Sequence, residues 1–270
     1  MAGRLHQGIS DVIDLQGVSK QFDNGLLAVS GVDLGVGASE IVALIGPSGC
    51  GKSTILRLIA GLDKPTSGSV VVAGHQVVGP DRAVGIVFQQ PRLMPWLSVE
   101  RNVSFGLDNH PDADVVVAEA LERVGLTNFS GALPRELSGG MAQRTAIARA
   151  LVTKPPVLLL DEPFSSLDAF TRIDLQEHLL EVWGWYRPTM FLVTHDIDEA
   201  IVLADRIVVL TGQPGTIHSE IVVDLARPRV RTDTAFHAFQ DRTMSELSVS
   251  SRLGSSSDQT PGSPIRAPNS

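Results

Sequence analysis

The chain has 270 residues, which allows one large domain or two small ones at about 150 residues per domain. Hydrophobic residues make up 43% and charged residues 19%, a composition that excludes a wholly disordered chain. Lys and Arg number 22 against 30 Asp and Glu, so the formal net charge of -8 argues against a broad nucleic-acid-binding surface.

Three features of the sequence bear on its location. The lone cysteine, Cys50, cannot form an internal disulfide. The N-terminal residues contain no apolar segment of signal-peptide length, and the longest apolar stretches fall far short of the roughly 18 residues that indicate a membrane span. We therefore expect a cytosolic chain that reaches a membrane only through a partner protein.

The first part of the chain, residues 11–45, alternates short β-rich runs with turn residues, which predicts a mixed or antiparallel sheet. The sequence GPSGCGKST follows at 46–54. Apolar residues at 55, 56, 58, 59 and 62 then have the spacing of a helix. The predicted order is strand, glycine-rich loop, helix.

Two further strands are predicted before a proline-rich stretch, and a helical region follows from about 98 to 152. From 157 strand and helix patterns alternate, which predicts crossovers over a parallel sheet covered on both faces. Asp196, with Glu199 three residues later, predicts a capping box at a helix start. A short helix and a disordered tail at 246–270, rich in Ser, Gly and Pro, complete the prediction.

The glycine-rich segment matches the P-loop pattern, in which glycines let the backbone wrap around phosphate oxygens at a helix start. Lys52 is expected to neutralise β- and γ-phosphate charge, and the Ser53 hydroxyl to coordinate Mg²⁺. Cys50 is interpreted as a small residue that fits the loop. The predicted phosphate-binding residues are Gly46, Pro47, Ser48, Gly49, Cys50, Gly51, Lys52, Ser53 and Thr54. Kinases, GTPases and helicases share this motif, so it predicts only that the chain binds a nucleoside triphosphate and does not identify the protein family.

An acidic pair ends the apolar run VLLL at 157–160, where strand ends of such sheets bind ligands. Asp161 is expected to hold Mg²⁺ through water, and Glu162 to polarise the attacking water. The alternative is a surface pair that caps a loop.

The segment LSGGMAQR at 137–144, together with these two motifs, resembles the ATP-binding subunit of an ABC transporter, whose signature motif is LSGGQ. In that family Ser138, Gly139 and Gly140 grip the γ-phosphate of the ATP bound to the other subunit. Met141 stands where glutamine is usual, and we expect Gln143 to keep a polar side chain nearby. The alternative is a helix start without a ligand.

The resemblance implies roles for four further residues. Phe22 stacks on adenine, Gln89 of the Q-loop reaches Mg²⁺ and the water, and His195 contacts the γ-phosphate. Asp168, which ends the D-loop SSLD at 165–168, lies near the dimer seam and can also cap a helix. The alternatives are that Phe22 is an ordinary strand aromatic, Gln89 a solvated turn residue and His195 a buried structural histidine. The other six histidines show no metal-ligand spacing and are assigned no chemistry.

The resemblance covers roughly residues 12–240. It implies a P-loop NTPase with a RecA-like α/β core, an antiparallel β subdomain and an inserted helical subdomain. We expect one ATP-binding domain at 11–245, with the helical subdomain at about 92–152, followed by the tail at 246–270.

Local sequence segments such as PRLMPWLSVERNV and DEPFSSLDAFTR resemble those of the importer branch for nitrate, sulfonates and taurine. The resemblance implies two copies facing head to tail, ATP and Mg²⁺ between them, and attachment to permease subunits at the cytoplasmic face of the membrane. An extracytoplasmic solute-binding protein takes part indirectly, and no nucleic acid is expected. Four apolar residues are expected to form the groove for the permease coupling helix, or else to pack internally: Leu93, Met94, Trp96 and Leu97.

Three alternatives stay open at this point. An exporter or lipoprotein-release ATPase shares every core motif, although the importer-like sequence after Gln89 argues against it. A soluble ABC protein acting on DNA or ribosomes usually has two fused ATPase domains or a long coiled coil, and neither is present here. A catalytically silent regulatory subunit is disfavoured because the expected catalytic residues are all present: Lys52, Asp161, Glu162 and His195.

Overall fold

The computed structural model describes residues 11–107 and 110–255. The strands are β1 Ile13–Gln21, β2 Leu27–Val36, β3 Ile41–Ile45, β4 Ser67–Val72, β5 His75–Gln76, β6 Val84–Val87, β7 Val157–Asp161, β8 Thr189–Val193, β9 Arg206–Leu210 and β10 Ile217–Val222. The α-helices are α1 Lys52–Ile59, α2 Val99–Ser104, α3 Ala113–Arg123, α4 Gly139–Leu151, α5 Ala169–Tyr186, α6 Ile197–Leu203 and α7 Thr234–Ser255. Among these helices, none combines the length and the apolarity that crossing a bilayer requires.

The larger sheet has six strands in the order β10-β9-β3-β8-β7-β6. Its strands run parallel from β9 to β6, and only β10 is antiparallel to its neighbour. The alternating pattern from residue 157 onward therefore predicted this parallel sheet correctly.

Strand β3 lies in the middle of that sheet, and all five of its residues are buried. Ile41, Ala43 and Ile45 pack in the core that contains α5 and α6, whereas Val42 and Leu44 pack in the core that contains α1. A strand covered on both faces needs apolar residues at every position, which explains the unbroken run IVALI.

The smaller sheet has four antiparallel strands in the order β2-β1-β4-β5. The pattern at 11–45 predicted a mixed or antiparallel sheet there, which holds for β1 and β2, whereas β3 at the end of that range belongs to the larger sheet. Ile13 of β1 pairs with Val36 on one side and with Val72 on the other. The inner face of this sheet packs on α1 and thereby fixes the helix that follows the glycine-rich loop.

Helices α2, α3 and α4 share a separate apolar core, in the stretch where the sequence predicted an inserted helical subdomain. Asn102 is fully buried and holds the preceding loop through its side-chain amide. Its Oδ1 accepts from the Met94 backbone N–H, and its Nδ2 donates to the carbonyls of Met94, Leu97 and Ser98. This single side chain satisfies the backbone that carries Trp96.

The C-terminal part differs from the sequence-based prediction of a short helix and a disordered segment from residue 246. Helix α7 has 22 residues and continues through Ser255. Phe236 is buried in the main core and Leu247 packs against it. The hydroxyls of Thr243 and Ser250 donate to carbonyls of their own helix, so its serine and threonine residues are compatible with burial. The rest of the predicted tail, 256–270, lies outside the described residues.

Candidate functional site

The glycine-rich loop joins the end of β3 at Ile45 to the start of α1 at Lys52. Gly49 and Gly51 have φ angles of 80° and 93°, in the left-handed region that favours glycine. At Gly46, a Cβ atom would lie 2.8 Å from Cys50 Sγ and 3.0 Å from the Leu210 carbonyl. The loop can therefore follow this close path only with glycine at these positions.

Two side chains of the loop point inward. Lys52 is buried and its Nζ donates to the carbonyls of Gly46 and Pro47, each at 2.9 Å, so its charge is held at the centre of the loop. Cys50 is also buried, and burial raises the pKa of its thiol although the nearby Lys52 charge opposes this. The thiol is thus a packed small side chain, as the sequence predicted.

A cleft of about 670 Å³ opens over this loop, within the range of small-molecule sites. Its lining combines loop residues with residues from four other parts of the chain. It is lined by Phe22, Leu26, Ala28, Ser48, Gly49, Gly51, Lys52, Ser53, Thr54, Glu162, His195 and Gln213. The structure therefore brings Phe22, the P-loop, Glu162 and His195 together in one cleft.

Phe22 stands at one end of the cleft, in a turn closed by hydrogen bonds between the backbone of Phe22 and that of Gly25 and Leu26. The ring is 36% exposed, and Lys20 Nζ lies 5.3 Å from its centroid. An exposed flat ring at the mouth of a cleft can stack on a base, and a strand aromatic packed in the core could not.

Two acids lie at the end of β7: Asp161 is the last residue of the strand and does not line the cleft, whereas Glu162 follows it and does. The Ser53 hydroxyl donates to Asp161 Oδ1 at 3.3 Å. Burial raises the pKa of Asp161, with a further increase from the neighbouring Glu162 charge, while the Ser53 hydrogen bond and two arginines, Arg92 and Arg57, lower it. A half-buried carboxylate beside a hydroxyl gains from a nearby cation, and hard oxygen donors of this kind fit Mg²⁺.

Glu162 and His195 form a close side-chain pair in the cleft. His195 Nδ1 lies 3.2 Å from Glu162 Oε2, and the imidazole side chain is 63% exposed. Glu162 has φ of 45°, an uncommon value for this residue type, and its N–H donates to the Val193 carbonyl. The strained backbone aims the carboxylate at the cleft instead of back along the strand.

Gln89 does not line the cleft of its own chain, and the expectation that it reaches Mg²⁺ and water stays a prediction. Its Nε2 donates to the Ser165 hydroxyl at 3.1 Å, and that hydroxyl donates to the Glu162 carbonyl at 3.0 Å. Gln89 is thus connected to Glu162 through one side chain.

The signature residues lie outside the cleft of their own chain. Ser138 caps α4, where its hydroxyl accepts from the Met141 N–H at 3.3 Å. A Cβ at Gly139 would lie 3.3 Å from Leu167 Cδ2, and one at Gly140 would lie 2.6 Å from Thr171 Cγ2. The start of α4 therefore packs on the D-loop and on the first turn of α5.

The sequence-based interpretation of Gln143 is wrong. Gln143 is buried and its Nε2 donates to the Phe88 carbonyl at 3.2 Å, so it does not stand in for the glutamine that Met141 replaces. Two residues along a helix correspond to a rotation of about 200°, which turns Gln143 away from the exposed face. Gln143 instead joins α4 to the backbone beside Gln89.

The predicted capping box at α6 is also only half formed. Asp196 caps the helix, and its Oδ1 accepts from the N–H groups of Asp198 and Glu199. Glu199, however, is buried and accepts from the Thr194 hydroxyl at 2.6 Å, and that hydroxyl accepts from the Asp196 N–H. Thr194 thus takes the place that the box assigns to Glu199.

Three residues of the cleft were missed by the sequence analysis: Leu26, Ala28 and Gln213. Gln213 Nε2 donates to the Gly49 carbonyl at 2.9 Å, and a Cβ at Gly215 would lie 1.9 Å from the Cys50 carbonyl. The Pro-Gly pair at 214–215 predicts a turn. Nothing in the local sequence indicates that this turn packs against a loop more than 160 positions away.

Asp168 caps α5 through hydrogen bonds from the N–H groups of Phe170 and Thr171, each at 3.1 Å. Its pKa is lowered, mainly by the hydrogen bond from the Thr171 hydroxyl. The capping function expected from the sequence is therefore present.

Among the described residues, no group of three or more His, Cys, Asp or Glu side chains is arranged to hold a metal.

Comparison with known proteins places this cleft in context. The family model described as ABC transporter matches residues 29–165. The aliphatic sulfonates import ATP-binding protein SsuB of Bacillus subtilis (strain 168) is 49% identical over 217 residues, which cover 80% of this chain and 85% of that protein. SsuB 1 of Pseudomonas syringae pv. syringae (strain B728a), with the same description, is 49% identical over 83% of this chain and 91% of its own length. Among solved structures, a dimeric post-hydrolysis state of the ATP-binding cassette MJ0796 bound to ADP and Pi has a TM-score of 0.70 and 32% identity, and covers 79% of this chain and 100% of its own.

Proposed function

We propose a function from one premise: this chain belongs to the ABC transporter family, as an ATP-binding subunit whose ATP hydrolysis drives transport. The proposed cargo is an aliphatic sulfonate, imported through a membrane permease. The observation that carries the cargo class is the 49% identity to sulfonate import proteins over four fifths of the chain or more.

The cleft supports ATP binding with its triphosphate along the P-loop and its base near Phe22. Lys52 and the loop N–H groups face the phosphates, and Phe22 offers an exposed ring for the adenine. We assign Mg²⁺ to Ser53 and Asp161, whose oxygen atoms lie 3.3 Å apart, with Gln89 reaching the site when its bond to Ser165 breaks. When bound, Mg²⁺ neutralises charge that develops on the phosphates during transfer.

Hydrolysis is assigned to Glu162 and His195. Glu162 projects its carboxylate into the cleft and can orient a water for attack on the γ-phosphate. His195 lies 3.2 Å from that carboxylate, so the two side chains can hold one water between them and the terminal phosphate. Gln89 is linked to the backbone of Glu162, not to its carboxylate, through the Ser165 hydroxyl.

The position of the signature residues supports a site shared by two copies. Ser138, Gly139 and Gly140 lie outside the cleft of their own chain and beside the D-loop that ends at Asp168. In a head-to-tail pair, the start of α4 in one copy can face the P-loop of the other and present its helix N-terminus to the γ-phosphate. The dimeric cassette MJ0796 has this fold, which further supports a pair.

The permease contact is assigned to the loop after Gln89. Trp96 is 74% exposed there, whereas Leu93 packs against the main core. The proposed docking surface therefore includes fewer than the four apolar residues that the sequence suggested. An exposed indole on a loop held by Asn102 suits an anchor at a protein interface. We place the chain at the cytoplasmic face of the membrane, where ATP is available, with a solute-binding protein on the other side.

The Glu162→Gln variant tests the hydrolytic assignment. We expect it to bind ATP with affinity within a factor of two of the wild type and to hydrolyse ATP at least 100-fold more slowly, since the amide cannot polarise water. It should also accumulate as an ATP-bound dimer in size-exclusion chromatography. A variant that hydrolyses ATP at the wild-type rate contradicts the role of Glu162.

The cargo is tested by growth. Cells that lack this gene should fail to grow on an aliphatic sulfonate as sole sulfur source and should still grow on sulfate, and the wild-type gene but not the Glu162→Gln variant should restore growth. Recovery of a multi-span permease with the tagged chain from detergent-solubilised membranes should accompany this result. Unchanged growth of the deleted strain contradicts the sulfonate assignment but leaves the ATPase assignment standing.

A further inference from the structure

We infer that Arg172 is a positioning residue that connects the D-loop to the loop carrying His195, so that movement at the dimer seam is passed to the histidine. The inference deepens the proposed function and rests on it, because it requires a second copy at the seam. It concerns a side chain that neither lines the cleft nor touches the phosphate-binding loop.

The guanidinium of Arg172 bonds to both loops at once. Its Nη2 donates to the Leu167 carbonyl at 3.1 Å, and its Nη1 donates to Asp196 Oδ2 at 3.3 Å. Leu167 directly precedes Asp168, and Asp196 directly follows His195. One planar, rigid group therefore spans the two segments whose relative position sets the catalytic geometry.

The loop around His195 depends on these bonds because the histidine has few contacts of its own. Its ring is largely exposed, and its side chain forms a polar contact with Glu162. The residues on either side are instead fixed: the Thr194 hydroxyl donates to Glu199, and Asp196 pairs with Arg172. Arg172 Nε also lies 3.9 Å from Glu199 Oε1, so both flanks of His195 lead back to the same guanidinium.

The D-loop end of the connection lies against the signature residues. Leu167 Cδ2 is the nearest atom to the Cβ position of Gly139, and Asp168 caps the helix that carries Arg172. A shift of the start of α4 against a second copy therefore acts on Leu167, whose carbonyl is bonded to Arg172. Packed elements that share a side chain move together, which gives a physical route from the seam to His195.

Stability alone does not explain this arrangement. The Arg172 and Asp196 side chains are both close to one-third exposed, and partly exposed ion pairs contribute little to folding. Removal of the guanidinium is therefore expected to leave the fold intact while changing the position of His195.

The test compares Arg172→Met and Arg172→Lys with Arg123→Met. The control residue also pairs with a carboxylate, Glu119, but lies on α3 away from the cleft. For Arg172→Met we expect kcat for ATP hydrolysis to fall about tenfold with KM for ATP within a factor of two, because the nucleotide contacts are untouched. Arg172→Lys should recover part of the rate, because lysine keeps the positive charge but lacks the planar guanidinium that bonds two acceptors at once. Arg123→Met should hydrolyse ATP at the wild-type rate.

A second variant separates positioning from structural support. Asp196→Asn keeps an oxygen that can cap α6 and removes the charge that pairs with Arg172. If the two residues act together, the double variant should be no slower than Arg172→Met alone, and the thermal unfolding temperatures should not follow the rates. Additive losses in kcat, or losses that track unfolding temperature, overturn the inference.

Failure of the inference and failure of the proposed function give different results. Wild-type protein without ATP-dependent pairing or hydrolysis overturns the proposed function. Wild-type protein that pairs and hydrolyses while Arg172→Met retains the full kcat overturns only the role of Arg172. If Arg172→Met no longer pairs on ATP in a Glu162→Gln background, the arginine supports the seam itself and the connection to His195 is likewise overturned.

Discussion

At the scale of single residues, burial controls the charge of Glu199. The pKa of this carboxyl is raised to about 7, mainly by burial and in smaller part by the Asp196 charge. The Thr194 hydrogen bond and the Arg172 and His195 charges act in the opposite direction. The folded protein therefore binds more protons than the unfolded chain between the ordinary value of 4.5 and about 7. Folding stability from this group falls as pH rises through that interval and stays low above it.

The Glu199→Gln variant tests this pH dependence. Because glutamine does not titrate, the variant should gain about 1 to 3 kcal/mol in unfolding free energy relative to the wild type between pH 5 and pH 8. Urea unfolding at several pH values measures the difference. The exposed Glu177→Gln serves as the control and should give no such trend. A constant difference across this pH range would show that Glu199 is ionised throughout.

At the scale of elements, the contact between α4 and α5 leaves no room for a side chain at Gly140. A Cβ there would lie 2.6 Å from Thr171 Cγ2. The threonine cannot rotate away cheaply, because its hydroxyl donates to Asp168 Oδ2 at 2.6 Å. The signature glycine thus sets the distance between the start of α4 and the first turn of α5.

The Gly140→Ala variant should separate these helices. Overpacking costs about 1 to 3 kcal/mol, which offsets the gain of roughly 1 kcal/mol in helix propensity. We expect a lower unfolding temperature and slower ATP hydrolysis. Adding Thr171→Ser removes the interfering methyl group, keeps the hydroxyl on Asp168, and should restore the unfolding temperature. No recovery in the double variant would place the clash elsewhere.

The sequence predicted the elements better than the contacts between them. The apolar run at 157–160 and the glycine-rich loop each identify a local structure, and both were found where expected. The partner of Gln143, the bond of Gln89 to Ser165 and the contact of Gln213 with Gly49 join distant positions, so no local pattern encodes them. Helix α7 was underestimated because serine-rich composition indicates disorder only when the segment has no core to pack against.

At the scale of the whole molecule, Arg206 joins the two sheets. It begins β9, and its guanidinium donates to Glu40 just before β3, to Glu220 on β10 and to the Gly35 carbonyl on β2. Burial of Arg206 opposes its charge, but the hydrogen bonds and charges of Glu40 and Glu220 outweigh this and raise its pKa. The charge is therefore retained and paired at the junction.

Replacing Arg206 with Met should leave the mostly buried Glu40 carboxylate without its partner. Breaking a buried pair from one side costs about 3 to 5 kcal/mol, so the unfolding free energy should fall by that amount. Arg57→Met, which removes the more exposed partner of Asp63, should cost less than about 1 kcal/mol. Equal losses in the two variants would show that the sheets are held together by apolar packing alone.

The strand order also governs how the protein assembles during synthesis. Ile41 of β3 pairs with Met190, and Val42 pairs with Arg206, so both neighbours of this strand are made long after it. At about 5 to 20 residues per second, the ribosome takes on the order of ten seconds to supply them. The small antiparallel sheet needs only residues up to Gln76 and can form during that interval. We therefore expect a nascent chain that folds from its periphery inward, with the nucleotide-binding centre completed last.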